Sequence, residues 1–284
     1  MIVLVAVGDR VRPGRYGLRA RFRRAADFHG PGGWLAVAEE SLGRGPIRVT
    51  LRGGLPARLL SVTVERSAVR LDEAVLRFDE DAVYRSTLDA VGWDAKRLRE
   101  NAWVLEKTLL RLAHPKSLAF LIDRRREEAL RAGFERTYAE RMRGGWEKIR
   151  TGRTGEGTAR IRGSGFGLTP SGDDFLTGLL ATLRLREALG DPAAGERRAE
   201  IRAALDPPGE TLSEAYLALA GEGAFPERLK NLAEALLSGG SEETAMRSEE
   251  LIDSGATSGA DTATGVFLGL RLGFERVGRE DGEA

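Results

Sequence analysis

One eight-residue pattern occurs twice in the chain, with the copies 87 residues apart (258 minus 171). The copies are SGDDFLTG at 171–178 and SGADTATG at 258–265, and both have the form Ser-Gly-x-Asp-x-x-Thr-Gly. An apolar run of helical character follows each copy, and serine, glycine and acidic residues are typical of helix starts. The pattern therefore predicts two helices that begin alike, and it indicates an internal structural repeat.

Two capping arrangements are compatible with the first copy. In one, Ser171 is the N-cap and Asp174 is the third helical residue, which gives an aspartate version of the capping box. In the other, Thr169 is the cap and Pro170 is the first helical residue, where its missing N–H has no cost. The second copy would use its own serine and aspartate in the same way.

Each copy ends in a glycine that lies one turn inside the predicted helix. These residues are Gly178 and Gly265. Glycine inside a helix costs about 1 kcal/mol of stability relative to alanine. We therefore expect a neighbouring helix or loop to approach closely at both positions.

Two glycine-led helix starts that face each other would direct free N–H groups toward one point. Such an arrangement predicts a site for phosphate or a small carboxylate. The aspartates would repel an anion, so they must cap the loops, pair with Arg160 and Arg162, or hold a divalent cation. Asp173 and Asp174 are the candidate cation ligands, and Mg²⁺ is the candidate ion. A simple strong helix start, without any ligand, is the structural alternative.

The composition removes several kinds of chemistry. The chain has no cysteine and only two histidines, His29 and His114, so thiolate, Ser-His-Asp and histidine–zinc sites are not expected. The formal net charge of +1 argues against general attraction to nucleic acid or to membranes, despite seven arginines between Arg10 and Arg24. The opening MIVLVAVG predicts a buried strand rather than a secretion signal, and we expect a cytoplasmic protein.

Periodicity predicts an α+β fold. Residues 1–75 form a β-rich domain, in which Tyr16 and its alternate neighbours face inward while arginines face outward. Residues 76–284 form a mainly helical domain that carries both pattern copies. Asp94 caps a helix that ends at His114–Pro115. The later predicted helices are 118–133, 171–189, 195–205, 211–220, 226–238, 241–253 and 258–273, and 144–169 is predicted to be mostly loop.

The stretches GFGLTPSGDDFLTGLL and TSGADTATGVFLGL resemble the AllH family. The similarity extends loosely over most of the chain, including TLSEAYLALAGEG between the two copies, and Phe166 departs modestly from the family pattern. The resemblance implies a subunit of oxamate carbamoyltransferase that acts with an AllG-like and an FdrA-like subunit. The implied reaction converts oxalurate and phosphate into oxamate and carbamoyl phosphate.

The resemblance also implies small anionic substrates, which suits chemistry by positioning and electrostatic stabilisation. Thr169 or Ser171 would then hydrogen-bond the transferring carbamoyl group, while Asp174 and Asp261 orient the loops or a metal. The predicted anion-binding residues are Gly165, Gly167, Gly172, Ser258, Gly259, Arg160 and Arg162.

Two other functions stay open from the sequence alone. The chain could be a non-catalytic scaffold subunit that binds a small anion and docks a partner through the arginine-bearing strand at 15–23. It could also be a stand-alone phosphate-ester or glycosyl hydrolase that depends on Mg²⁺.

Overall fold

The computed structural model describes residues 1–72, 74–88, 94–165, 169–207 and 209–280, with the side chains of 273–280 excepted. Strands occupy the N-terminal part and helices dominate the remainder, so the predicted α+β fold class is confirmed. In the described part of the chain, no helix is both long enough and apolar enough to cross a bilayer.

The chain divides into two compact units. The first comprises Met1–Thr87, Gly209–Leu219 and Ala224–Arg228, and the second comprises Leu88–Pro208, Ala220–Gly223 and Leu229–Ala284. A domain boundary between residues 75 and 76 stays a prediction.

A sheet of nine strands makes up most of the first unit in the described residues, in the order β8-β7-β6-β2-β3-β4-β5-β1-β9. Most neighbours are antiparallel, whereas β4 pairs with β5 and β1 pairs with β9 in parallel. Apolar side chains from these strands build a buried core around Phe28, Leu35 and Val49. The strands are β1 (Val3–Gly8), β2 (Gly14–Arg21), β3 (Ala25–Gly30), β4 (Gly33–Glu39), β5 (Arg48–Arg52), β6 (Ser61–Val64), β7 (Ala68–Leu71), β8 (Ala74–Arg77) and β9 (Val83–Tyr84).

Strand β2 follows its period-two pattern. Tyr16 is buried on the core side, while Arg15, Arg19 and Arg21 are exposed on the other. The predicted inward and outward faces of this strand are therefore confirmed, since successive side chains of a strand point to opposite faces.

Nine α-helices lie in the described residues. The first is capped as predicted, because the Asp94 carboxylate accepts the Arg97 backbone N–H at 2.7 Å. The helices are α1 (Ala95–Leu112), α2 (Gly133–Arg150), α3 (Thr154–Ile161), α4 (Ser171–Ala188), α5 (Pro192–Ala204), α6 (Leu212–Glu222), α7 (Glu227–Ser238), α8 (Ser241–Ile252) and α9 (Ser258–Glu280).

One helix prediction and one loop prediction are wrong. The predicted helix 118–133 is instead a pair of short 3₁₀ helices, Leu118–Leu121 and Arg124–Ala129. Asp123 separates them, because its carboxylate accepts the Arg125 N–H at 3.1 Å and starts a new turn.

The predicted loop 144–169 is also wrong over most of its length, since it contains the end of α2 and the whole of α3. Two of its glycines, Gly145 and Gly157, serve helix contact instead of loop flexibility. A Cβ on Gly145 would lie 2.4 Å from Cγ1 of Ile161, and a Cβ on Gly157 would lie 2.5 Å from the carbonyl oxygen of Gly145. Glycine here lets α2 and α3 pack backbone to backbone.

Helices α4 and α9 are the central pair of the second unit. Almost every residue of α4 from Ser171 to Leu185 is buried, and α9 is buried from Gly259 to Leu270. A helix that is apolar around most of its circumference is typical of a buried position. The two pattern copies therefore begin the two most enclosed helices of the molecule's described part.

Candidate functional site

The two pattern copies pack against each other reciprocally. A Cβ on Gly178 of α4 would lie 2.0 Å from the carbonyl oxygen of Thr262 on α9. A Cβ on Gly265 of α9 would lie 2.1 Å from the carbonyl oxygen of Phe175 on α4. Since 87 separates both 178 from 265 and 175 from 262, the contact has approximate two-fold symmetry. The close approach predicted at both glycines is confirmed.

Each copy also repeats the local bonds of the other. The Thr177 hydroxyl donates to the carbonyl of Asp173 at 2.9 Å, and the Thr264 hydroxyl donates to that of Ala260 at 2.7 Å. Such bonds to the carbonyl four residues earlier satisfy a buried threonine within its own helix. The internal repeat is thus visible in the structure as well as in the sequence.

The starts of α4 and α9 meet, and each serine faces the aspartate of the other copy. The Ser258 hydroxyl bonds the Asp174 carboxyl, and the Ser171 hydroxyl lies against the Asp261 carboxyl. A further contact joins Thr169 Oγ1 to Ser258 Oγ at 3.4 Å. Two segments far apart in sequence therefore build one cluster of hydroxyl and carboxyl groups, which we call the twin-serine cluster.

Neither predicted capping arrangement is present in α4. Ser171 is the first helical residue, and Pro170 precedes it without any side-chain cap. The serine does not cap its own helix, because its hydroxyl is directed to Asp261 across the helix pair. Thr169 likewise bonds a side chain, Asp174, rather than a backbone N–H.

Asp261 is the enclosed carboxyl of the twin-serine cluster, with 0% of its surface exposed. Its Oδ1 accepts the backbone N–H of Leu118 at 2.6 Å. Burial raises its pKa to about 7, and the Leu118 amide and the hydroxyls of Ser171 and Thr257 oppose that rise. Its Oδ2 atom is also buried, but it has no partner with hydrogen-bond geometry. This unsatisfied acceptor needs an explanation, because buried polar atoms are normally paired.

Asp174 occupies the equivalent place in the first copy but is partly exposed. Thr169 Oγ1 donates to its Oδ2 at 3.0 Å. Burial raises the pKa of Asp174 to about 8, and the charges of Asp261 and Asp173 raise it further, against the opposing hydroxyls of Ser258 and Thr169. Two adjacent carboxyls with raised pKa values are typical of functional sites.

Tyr138 of α2 joins the cluster from outside the repeat. It is buried, and its hydroxyl lies close to that of Ser171. Burial raises its pKa, and the negative charges of Asp261 and Asp174 act in the same direction. Sequence reasoning missed this residue, because it lies in an arginine-rich stretch with no motif around it. It also missed Thr257, although that residue aligns with Pro170 at the repeat offset of 87.

The predicted glycine ligands have different backbone environments. Gly165 has a φ of 127°, and a Cβ there would lie 2.5 Å from the backbone nitrogen of Ser171. Only glycine suits that conformation and that contact. The N–H of Gly172 donates to Ser164 at 2.7 Å, and that of Gly259 donates to Ser254 at 2.9 Å. Those two amides already have carbonyl partners.

Gly167 and Phe166 lie outside the described residues, which resume at Thr169. The anion-binding role of Gly167 accordingly stays a prediction.

The remaining predicted residues bond to backbone groups. Asp173 is buried, and its Oδ1 accepts the Gly163 N–H at 2.8 Å. The exposed Arg160 donates to the carbonyl of Arg141 at 3.1 Å. Arg162 donates to carbonyls at 205 and 207, at 3.4 and 3.3 Å. These contacts leave the pairing of the two arginines with the cluster as a prediction.

A metal site is not evident in the described ranges. No three His, Cys, Asp or Glu side chains converge there on one point. Asp173 and Asp174 are adjacent in sequence, but their described bonds lead to different partners, Gly163 and Thr169. We therefore derive no chemical step through a cation.

Fold and site together define an α+β protein whose helical unit carries a duplicated, carboxyl-centred cluster. The family model for "Oxamate carbamoyltransferase subunit AllH" matches residues 161–270. This match confirms the resemblance to the AllH family over a segment that runs from the end of α3 into α9 and contains both pattern copies. No solved structure matches the chain.

Proposed function

We propose that the chain is a subunit of an oxamate carbamoyltransferase and that the twin-serine cluster binds its small substrate. The observation that carries the proposal is the coincidence of two findings. The matched segment 161–270 contains the two pattern copies, and the structure joins those copies in one buried polar cluster.

The proposed reaction is phosphorolysis of oxalurate. A phosphate oxygen bonds to the carbamoyl carbon, the bond from that carbon to the oxamate nitrogen breaks, and the nitrogen takes a proton from the phosphate. The products are oxamate and carbamoyl phosphate. Every reactant and product is small and anionic, which suits a compact site of hydroxyl and carboxyl groups.

The raised pKa values help such a site to accept an anion. Near neutral pH a carboxyl with a pKa of about 8, as in Asp174, is mostly uncharged. An uncharged carboxyl repels an anion less and can donate a hydrogen bond. Gly165, at the edge of the cluster, remains the predicted contact for the anionic end of the substrate.

The partner subunits proposed for this chain are an AllG-like and an FdrA-like protein. The test combines the three purified chains with oxalurate and phosphate and measures carbamoyl phosphate. We expect activity only when this chain is present. Unchanged activity without it would overturn the proposal.

Two variants make the test specific to the cluster. Asp174→Asn should lower the rate about tenfold or more, since it alters a group proposed to contact substrate. Asp81→Asn, an exposed change in the other unit, should leave the rate unchanged. Equal rates for both variants would place the substrate elsewhere.

A further inference from the structure

In the described ranges, the carboxyls of Asp174 and Asp261 have polar neighbours that are uncharged or acidic, and no cationic ones. Asp174 and Asp261 are close enough for their charges to interact. Hydroxyls and one backbone amide contact them, and no lysine, arginine or histidine in the described ranges bonds to either carboxyl. A bound anion would therefore meet oxygen atoms rather than positive charge at this place.

One acceptor of the pair has no donor in hydrogen-bond geometry, although the hydroxyls of Ser171 and Thr257 lie near the same carboxyl. Asp261 Oδ2 is fully buried without a hydrogen-bond partner, whereas Oδ1 of the same group accepts the Leu118 amide at 2.6 Å. Leaving a buried acceptor unpaired is unfavourable. A ligand that brings an N–H group to this atom would satisfy it.

We propose that the Asp174–Asp261 pair recognises the N–H side of a carbamoyl or other primary amide group. When the group binds, its N–H donors replace the hydroxyls of Ser171 and Ser258 at the two carboxyls, and those hydroxyls turn to its carbonyl. The inference rests on the proposed function, because it assigns one end of the carbamoyl-bearing substrate to this cluster. The carboxylate or phosphate end lies away from the two aspartates.

The chemistry of the amide fits the cluster on both sides. A primary amide has two N–H donors and one carbonyl acceptor, while a carboxyl oxygen accepts and a serine hydroxyl donates. A carboxylate in the same place offers acceptors only, so it forms no bond with Asp261 Oδ2 when Asp261 is ionised, which at a pKa of about 7 requires titrations at about pH 8. The cluster should therefore distinguish an amide from a carboxylate of nearly the same shape.

Oxamate and oxalate are suitable probes, because they differ in one amide group that replaces a carboxylate. Both should be titrated calorimetrically into the full chain and into the three-subunit complex. We expect oxamate to bind about tenfold more tightly than oxalate, or better, as sites built to bond an N–H group reject analogues without it. Asp174→Asn and Asp261→Asn should each reduce that preference, since an asparagine side chain supplies N–H donors of its own.

Several outcomes overturn the inference. These are oxalate binding as tightly as oxamate, an unchanged preference in both asparagine variants, or no oxamate binding to the chain or the complex. Asp81→Asn, an exposed residue, is the matched control and should keep the wild-type preference. The circular dichroism melting curve of each variant verifies that it is folded, and the partly exposed Asp174 gives a test even if Asp261→Asn fails to fold.

The two proposals fail differently. If carbamoyl phosphate production needs this chain but oxalate binds as well as oxamate, only the amide assignment is lost. If the complex works equally well without this chain, the proposed function is lost first.

Discussion

The two copies of the Ser-Gly-x-Asp-x-x-Thr-Gly pattern have nearly the same backbone role but different surroundings. Both begin a central helix, and both use their final glycine to contact the other helix. Their aspartates differ, because Asp261 is fully enclosed and bonded to the Leu118 amide, whereas Asp174 is partly exposed and bonded to Thr169. A repeat can thus conserve its packing while its polar groups take on separate tasks.

The difference comes from what lies beside each copy. The 3₁₀ helix at Leu118–Leu121 covers the second copy and supplies a backbone donor. The first copy is preceded by a longer lead, in which Gly172 bonds back to Ser164, eight residues earlier, while Gly259 bonds back to Ser254, five residues earlier. We therefore assign Oδ1 of Asp261 to holding the helix pair together, and we assign ligand contact to Asp174 and to the unpaired Oδ2 of Asp261.

The symmetric glycine contacts between α4 and α9 lead to the largest expected effects on stability. Gly178→Ala and Gly265→Ala each place a Cβ about 2 Å from a backbone oxygen that cannot rotate away. Each should destabilise the protein by about 3 kcal/mol, because the helices must separate to relieve the clash. Urea denaturation followed by circular dichroism measures the free energy of unfolding.

Gly155→Ala is the matched control, since a Cβ on this α3 residue would meet nothing within 4 Å. It should leave stability unchanged or raise it by up to about 1 kcal/mol through helix propensity. Similar losses in all three variants would show that a general effect of the added methyl group, rather than the α4–α9 contact, decides the result.

The sequence predicted the frame of the fold well where local signals were strong. Helix α1 begins after the predicted cap Asp94, and the predicted helices from 171 onward correspond to α4–α9 with ends that differ by a few residues. Glycine misled the prediction of 144–169, because a glycine in a tight helix contact and a glycine in a loop look alike in sequence.

The site was predictable in part for similar physical reasons. A repeat is visible in one sequence, so Ser171, Asp174, Ser258 and Asp261 could be found without a structure. Tyr138 could not, because it reaches the cluster by packing of α2 and carries no local signal. The amides of Gly172 and Gly259 are bonded to backbone carbonyls, and those bonds depend on loop geometry that residue types do not reveal.

The different surroundings of Asp174 and Asp261 lead to a smaller expected effect on stability. At pH 5, where both carboxyls are mostly protonated, Asp261→Ala should cost about 2 kcal/mol, since it leaves the Leu118 amide without its partner. Asp174→Ala should cost less than about 1 kcal/mol, because its site is partly open to water. Equal losses in urea denaturation would contradict the assignment of separate tasks. Asp261→Asn, which keeps an oxygen for the amide, should recover part of the loss.

The free energy of unfolding should depend on pH differently through Asp174 and through Asp261. Both pKa values are raised on folding, so the folded state keeps protons that the unfolded state has released above about pH 4. Each group therefore stabilises the fold fully below its unfolded pKa, and this contribution is lost as the pH rises to about 7 for Asp261 and about 8 for Asp174. Between pH 5 and 6, each should lower the free energy of unfolding by about 1.4 kcal/mol per pH unit.

Between pH 7 and 8 Asp174 should make the larger contribution, about 1 kcal/mol or less. Unfolding free energies of the wild type, Asp174→Asn and Asp261→Asn across pH 5–9 test this order. Asp261→Asn should flatten the curve mainly below pH 7, whereas Asp174→Asn should also flatten it from 7 to 8. The reverse order would mean that Asp174, rather than Asp261, loses its proton first, and it would contradict this prediction.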